Sequence, residues 1–446
     1  MMSKENILSL IEEFVKEKNA AKTWTAGKDF VNYAGPYYDH QEIIAAASTL
    51  LDGWLVMGKD CLRFENKFPK YLGKEHGVLT NSGSSANLLM MTALKSKRGH
   101  NFPPGTKVLM PIAGFPTTLN PTLQAGFIPV FLDIEYETLN LDLEKAEDLL
   151  KKHDIKVITF AHVLGNCPNM DQLMDLVKKY NLVLLEDCCD GLGSTYDGKL
   201  LGSFGEMSSC SFYPAHHITM GEGGFVACSD KNTETIVRSL REWGRGCYCV
   251  GPEANKLKCG TCGKRFDNWL PSMPNEIFDH KYVYDEIGYN LKPIELQASM
   301  GLKQIDKLEE IGKLRRRNYQ LLFNIYEKYE EFFYLPRARA KCDPDWFAFP
   351  LTIRKDAPFK RAEIVDYLEE NLIQTRPYFA GNIMLQPAYS DYVNTPMLSM
   401  ESLHNDFPVA NHVTTHTYFH GTSPVITPEQ IAYIGDRVDG FMSLYL

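Results

Sequence analysis

An α/β fold, with a large and mainly parallel sheet wound on both faces by helices, is predicted by three observations. Short β-rich runs alternate with helical patterns through the first two thirds of the 446 residues. The intervening stretches are about as long as right-handed crossover connections require. Composition is that of an ordinary globular chain, 44% hydrophobic and 23% charged. At roughly 100 to 200 residues per domain, this length predicts two or three domains.

The elements follow in order. Met1 to Lys18 has the pattern of an amphipathic helix and lacks the apolar block of a signal peptide, and 1–35 is read as an N-terminal helical segment. A large domain over 36–292 is expected to carry strands at Gly77–Thr80, Lys107–Pro111, Ile128–Asp133, Val157–His162, Leu182–Asp187, Cys210–Tyr213 and Gly224–Cys228. Helical segments fall at Ala86–Leu94, Leu143–Lys152, Met170–Tyr180 and Thr233–Trp243. Charged residues between apolar ones at helical spacing mark bridging helices over 293–330. The remainder, 331–446, reads as a small α+β domain with a strand at Trp346–Ile353 and helices at Lys360–Glu370 and Pro428–Phe441.

Forty-seven basic against 56 acidic residues give a net charge of -9, which argues against nucleic acid as the main partner. No stretch reaches the roughly 18 apolar residues of a membrane span, so a soluble cytoplasmic protein is expected. Eleven cysteines without an export signal do not suggest a disulfide scaffold. Four of them crowd into sixteen residues, Cys247-Tyr-Cys249 and Cys259-Gly-Thr-Cys262, within a Cys-rich loop over 244–270. By spacing alone this is a respectable zinc site.

Three motifs carry chemistry. Thr80-Asn-Ser-Gly-Ser-Ser-Ala follows a strand and opens a helix, where Gly83, Ser84 and Ser85 suit a phosphate or simply a capped helix start. Leu184-Leu-Glu-Asp-Cys-Cys-Asp places Asp187 and Asp190 at the carboxyl end of a strand, where α/β sheets bind ligands; either could be a counter-ion or a helix cap. The third is Ser211-Phe-Tyr-Pro-Ala-His-His-Ile-Thr-Met-Gly-Glu-Gly-Gly.

This third motif resembles the Ser-Phe-x-x-x-Lys … Gly-Glu-Gly-Gly frame of the DegT/DnrJ/EryC1/StrS sugar aminotransferases, which have the pyridoxal-phosphate type I aminotransferase fold. Phe64-Glu65, Pro111-Ile-Ala-Gly-Phe115, Gly288-Tyr-Asn-Leu-Lys and Gln297-Ala-Ser-Met-Gly-Leu are similar to further family segments, so the resemblance runs over nearly the whole chain. It implies that Ser84, Ser85 and Ser211 hold the cofactor phosphate with Gly83. Asn290 would contribute from the partner of a homodimer, Asp187 would pair with the pyridine nitrogen and Phe115 would cover the ring.

In the family a lysine joins the cofactor; here that position is His216, and no lysine lies between Lys199 and Lys231. The cofactor is therefore expected to be held non-covalently, most usefully as pyridoxamine phosphate. With an ordinary pKa of about 6.5, His216 suits proton transfer near neutral pH. Adjacent His217 competes for the role, but the frame selects His216. Tyr213 and Asp190 flank the base as candidates to orient it.

The chain thus resembles the sugar 3-dehydratases of this family, and among them the iron-sulfur subfamily. There one cluster ligand follows Glu-Asp-Cys and a C-x-C pair comes after 57 intervening residues, the separation of Cys189 and Cys247. The resemblance implies a 2Fe-2S cluster on Cys189, Cys247, Cys249 and Cys262, with Cys259 as the spare and zinc as the alternative. It further implies an NADH-dependent flavin and iron-sulfur reductase as partner. The substrate would be a nucleotide-linked 4-keto-6-deoxyhexose, CDP-4-keto-6-deoxyglucose first and dTDP- or GDP-linked sugars as alternatives. The product would enter 3,6-dideoxyhexoses of lipopolysaccharide. Arg376 is a candidate substrate contact. A non-catalytic zinc-bearing protein that lost its lysine is the rival reading.

Overall fold

The computed structural model describes residues 2–247, 249, 258–261, 263–395 and 398–446. Seven strands form the larger sheet: β1 His76–Thr80, β2 Lys107–Pro111, β3 Ile128–Leu132, β4 Ile155–Ala161, β5 Val183–Asp187, β6 Met207–Ser211 and β7 Gly224–Cys228, in the order β1-β7-β6-β5-β4-β2-β3. Pairing is parallel from β3 to β6, and β7 runs antiparallel between β6 and β1. Every residue of β5, β6 and β7 is buried, as expected of strands covered on both faces.

The sixth strand is displaced from expectation. It occupies Met207–Ser211 rather than Cys210–Tyr213. Ser208 and Ser209 lie in the strand and are buried, so polar residues conceal its first half from a search for apolar runs. Phe212 is buried just beyond the strand end, where it packs against Phe64 and Phe68.

Helices start where local chemistry caps them. Ser82 accepts a hydrogen bond from Ser85 N and begins Gly83–Ala93. Asn169 caps Met170–Tyr180, and Asp230 caps Lys231–Arg241. Glu295–Ile305 and Leu308–Tyr326 occupy the stretch read as bridging helices. A smaller antiparallel sheet follows, in the order Phe333–Tyr334, Ala348–Ile353, Thr417–Gly421, Arg376–Pro377, backed by helices Arg361–Glu370 and Pro428–Met442. Its apolar core includes Phe349, Leu351, Tyr418 and Val438.

The N-terminal helix, Lys4–Ala20, has no fully buried residue. Beyond it the chain crosses to the smaller sheet's side, where Val31 bridges Ile373 and Tyr33 packs on Phe419. Among the described residues no helix is long and apolar enough to cross a membrane.

Candidate active site

The carboxyl ends of β1, β2, β5 and β6 lead into the segments that carry the motifs, as parallel strand order dictates. Asp187, the last residue of β5, is the centre of a buried network. Its Oδ2 accepts from Asn87 Nδ2 at 2.7 Å and from Thr118 Oγ1 at 3.0 Å. Its Oδ1 accepts from Cys189 N at 3.1 Å and Ser209 Oγ at 3.4 Å. Ser209 also donates to Asn87 Oδ1 at 2.6 Å. Asn87 lies one helical turn after Ser84, and Thr118 one turn after Phe115. One carboxylate therefore ties together the two helices whose first turns carry the phosphate-binding and ring-covering candidates.

The phosphate end is built around a glycine. A Cβ on Gly83 would lie 2.5 Å from Ser211 Cβ and 3.1 Å from Cys189 Sγ, so only glycine lets the helix start approach the end of β6 this closely. Ser84 is exposed and Ser85 half-buried at that helix N-terminus, where unpaired N–H groups and the dipole favour an anion. Ser82 Oγ donates to Ser85 Oγ at 3.0 Å, leaving the Ser85 hydroxyl proton available to a ligand. Asn81 Oδ1 is buried with no partner among the described groups. Phe115 is 52% exposed with Phe379 edge-on at 5.9 Å, an apolar surface open on the side of the site. These residues fit a phosphorylated pyridine.

His216 and His217 face different surroundings. His216 Nδ1 is 3.4 Å from Asp190 Oδ1, and its ring centroid is 5.2 Å from that of Phe347. Asp190 Oδ2 accepts from Leu164 N at 3.3 Å, which orients the carboxylate. His217 is buried and its Nε2 donates to the carbonyl of Asp345. Burial, with Arg315 nearby, pushes the His217 pKa well below its ordinary value, so that ring stays neutral. The two neighbouring rings thus differ: His216 lies beside the Asp190 carboxylate, and His217 is fixed to a backbone carbonyl. Tyr213 is 49% exposed; its carbonyl accepts from His216 N at 3.0 Å and its own N donates to Ser211 Oγ at 3.3 Å.

Other expected residues are placed less centrally. Asn290 is exposed and its Oδ1 accepts from Lys292 Nζ at 2.7 Å, while the next residue's carbonyl receives Asn81 N. Arg376 lies on an edge strand of the smaller sheet, where its guanidinium stacks 4.4 Å from the Tyr33 ring and donates to its neighbour Thr375 O. The segment just beyond it is the one that meets the site. Phe379 packs on Phe115, and Gly114 exchanges backbone hydrogen bonds with Ala380 and Gly381.

Cys189 adjoins the phosphate cradle, and burial together with the Asp187 carboxylate pushes its thiol well above the ordinary value. Cys249 Sγ accepts from Thr261 Oγ1 at 3.2 Å, which brings the C-x-C half of the motif against the turn that follows Cys259. Cys262 lies outside the described residues. Three ligands of one zinc ion, at Zn–S distances of about 2.3 Å, would crowd within about 4 Å of one another. Cys189, Cys247 and Cys249 form no set within 4.8 Å; among the described residues the one such set is His162, Glu186 and Cys188. As placed, those three thiols fit no single zinc ion. A two-iron cluster shares four protein ligands between two irons, so it needs no three thiols around one ion.

The His162–Glu186–Cys188 set is structural. Glu186 accepts from His162 Nε2 at 2.9 Å and from the backbone N of Gly202, Phe204 and Gly205 at 2.9, 2.8 and 2.6 Å. Burial opposes its charge, yet these donors hold its carboxyl below the ordinary value. It fastens the 202–205 turn beneath β5.

The fold and this site define a pyridoxal-phosphate-dependent aminotransferase-type protein. Residues 36–439 match the DegT/DnrJ/EryC1/StrS aminotransferase family, and the chain belongs to it. It is 40% identical over 443 residues to the lipopolysaccharide biosynthesis protein RfbH of Salmonella typhimurium, covering 99% of this chain and 98% of that one. It is 37% identical over 445 residues to a dTDP-4-dehydro-2,6-dideoxy-D-glucose 3-dehydratase of Saccharopolyspora spinosa, covering 99% and 92%. Among solved structures, the E. coli GDP-4-keto-6-deoxy-D-mannose-3-dehydratase with bound hydrated PLP superposes with a TM-score of 0.79 at 26% identity, covering 92% of this chain and 99% of that one.

Proposed function

We propose that this chain dehydrates a nucleotide-linked 4-keto-6-deoxyhexose at C3 with pyridoxamine phosphate as cofactor. The observation that carries the reading is His216, an imidazole whose Nδ1 lies 3.4 Å from the Asp190 carboxylate, at the position where the aminotransferase frame that the motif resembles carries a lysine. Two of the relatives described above are named 3-dehydratases, of dTDP- and GDP-linked sugars. Intact surroundings, from Gly83 to Asp187, argue against a non-catalytic scaffold.

When bound, the cofactor supplies an amine for the sugar ketone and an electron-accepting ring. Ser84, Ser85, Ser211 and the helix N-terminus at Gly83 would hold its phosphate, and Asp187 would face its ring nitrogen. Phe115 would cover the ring and exclude water from one face. The Asp190 carboxylate lies 3.4 Å from Nδ1 of the His216 imidazole, whose Nε2 would accept a proton. Returning that proton toward the departing C3 hydroxyl completes the loss of water. Tyr213 borders the same loop.

Cys189, Cys247, Cys249 and Cys262 are the proposed 2Fe-2S ligands, and a flavin and iron-sulfur reductase is the proposed source of the two electrons that complete deoxygenation. A homodimer, with Asn290 reaching the neighbouring phosphate, belongs to the same proposal. CDP-4-keto-6-deoxyglucose remains the proposed substrate, to be compared directly with dTDP- and GDP-linked sugars. The test is incubation of each with pyridoxamine-phosphate-loaded protein and mass spectrometry of the sugar. With a chemical two-electron donor such as dithionite added, the expected sugar is lighter by one oxygen atom, one water lost and two electrons and two protons gained. A product aminated at C4 at the expense of glutamate, without dehydration, would overturn the reading in favour of an aminotransferase.

A further inference from the structure

Arg315 sits on the helix Leu308–Tyr326 and is 1% exposed, yet among the described residues no carboxylate is hydrogen-bonded to it. Its Nη2 donates to the carbonyls of Ala215 and His216, both at 3.0 Å. Its Nη1 donates to those of Phe347 at 3.1 Å and Trp346 at 3.4 Å. The carboxylate of Asp345, which would be the natural partner, is taken at 2.9 Å by neighbouring Arg316. Burial lowers the Arg315 pKa to about 10, with Asp345 and Asp190 acting in the opposite sense. A buried guanidinium held by four carbonyls at Nη1 and Nη2, its Nε without a partner among the described residues, is costly to place and rigid once placed.

Two of the four carbonyls belong to the loop bearing the base; the other two precede or belong to Phe347, the ring on which the His216 imidazole rests. We infer that Arg315 is a positioning residue for His216, fastening the backbone of the base and the aromatic surface beside it into one rigid unit. This rests on the dehydratase reading above. A lysine, with a point charge and no planar fork, cannot hold four acceptors on two segments at once. Loss of the fork lets the loop relax, and a displacement of about 1 Å at a reacting group costs about a hundredfold in rate.

The test compares Arg315→Lys and Arg315→Met with His216→Asn. Pyridoxamine phosphate binding is read by absorbance, turnover is expressed per cofactor-loaded site so that a poorly folding variant still informs, and the unloaded proteins are examined by 15N-histidine NMR. Both Arg315 variants are expected to bind cofactor within about twofold of the parent, to keep KM, and to lose about a hundredfold in kcat. In the same variants the His216 ring signal, assigned by its disappearance in His216→Asn, should broaden or split. Unchanged kcat and a single sharp His216 signal in Arg315→Lys would overturn the inference while leaving the dehydratase reading intact. A loss fully accounted for by the unloaded fraction would show a purely structural arginine and overturn it too. Dehydration retained by His216→Asn would instead remove the reading on which it rests.

Discussion

Asp187 and the cysteine-rich stretch 244–270 hold reactive side chains by opposite means. Asp187 ends a fully buried parallel strand and takes four hydrogen bonds from two helices, a neighbouring strand and its own turn. Around the cysteines, among the described residues, the regular structure between Arg241 and Glu295 is one 3-10 turn, His280–Tyr282. Side-chain pairs supply order there: Arg265 with Asp279 at 2.9 and 2.5 Å, and Trp269 stacked on His280 at 3.5 Å. The floor of the pocket is preorganised by secondary structure before anything binds.

The sharpest contrast comes from removing one group on the floor side. His216→Asn should lose dehydration by a hundred- to ten-thousandfold or about that while still binding pyridoxamine phosphate, measured by product formation and absorbance titration. His216→Lys should restore covalent attachment, seen as a shift in cofactor absorption. Asp187→Ala should weaken cofactor binding and also lower stability in its absence by about 3 kcal/mol, because Asn87, Thr118 and Ser209 lose a buried acceptor; chemical denaturation reads this directly.

Acid should act on the buried framework next. Burial pushes His420 down to about 3, so it stays neutral in the folded protein while the unfolded chain binds a proton below about 6.5. The stabilisation is complete above that pH and is lost as pH falls toward the folded value, about 2 kcal/mol by pH 5 for this one group. His217 acts in the same direction at the site. Denaturation at pH 7 and 5 should show the loss, and His420→Gln should flatten it.

The smallest effect on the fold is expected from the cysteines. Cys249→Ser, at a half-buried position, should leave cofactor affinity within about twofold, read by absorbance titration. Its iron content, two per chain in the parent on this proposal, should fall. Zinc in place of iron in the parent would break the electron-transfer part of the reading.

Legibility in the sequence followed the same divide. The motif candidates Asp187 and Ser85 lie at a strand end and in the first turn of a helix, where local chemistry is explicit, whereas His216 in its loop is named only through the family frame. Asn87 and Thr118 were missed, although each lies one helical turn beyond a named residue; helical spacing from a candidate is the signal that would have found them. The first half of β6 was hidden by its buried serines. Helix His40–Asp52, with its Asp39 and Glu42 capping box, also went unread. Arg315 looks like one of three consecutive surface arginines in sequence, and only the packing of the smaller sheet's first long strand against the His216 loop reveals its burial.

The family match begins at residue 36, but the chain preceding it has work to do. Tyr33 lies over Phe419 and Arg376, Val31 pairs with Ile373, and a Cβ on Gly421 would collide with Tyr33 O. A clone trimmed to the conventional family boundary would strip this strap and bare the aromatic and aliphatic surface beneath it, leaving a preparation more prone to self-association.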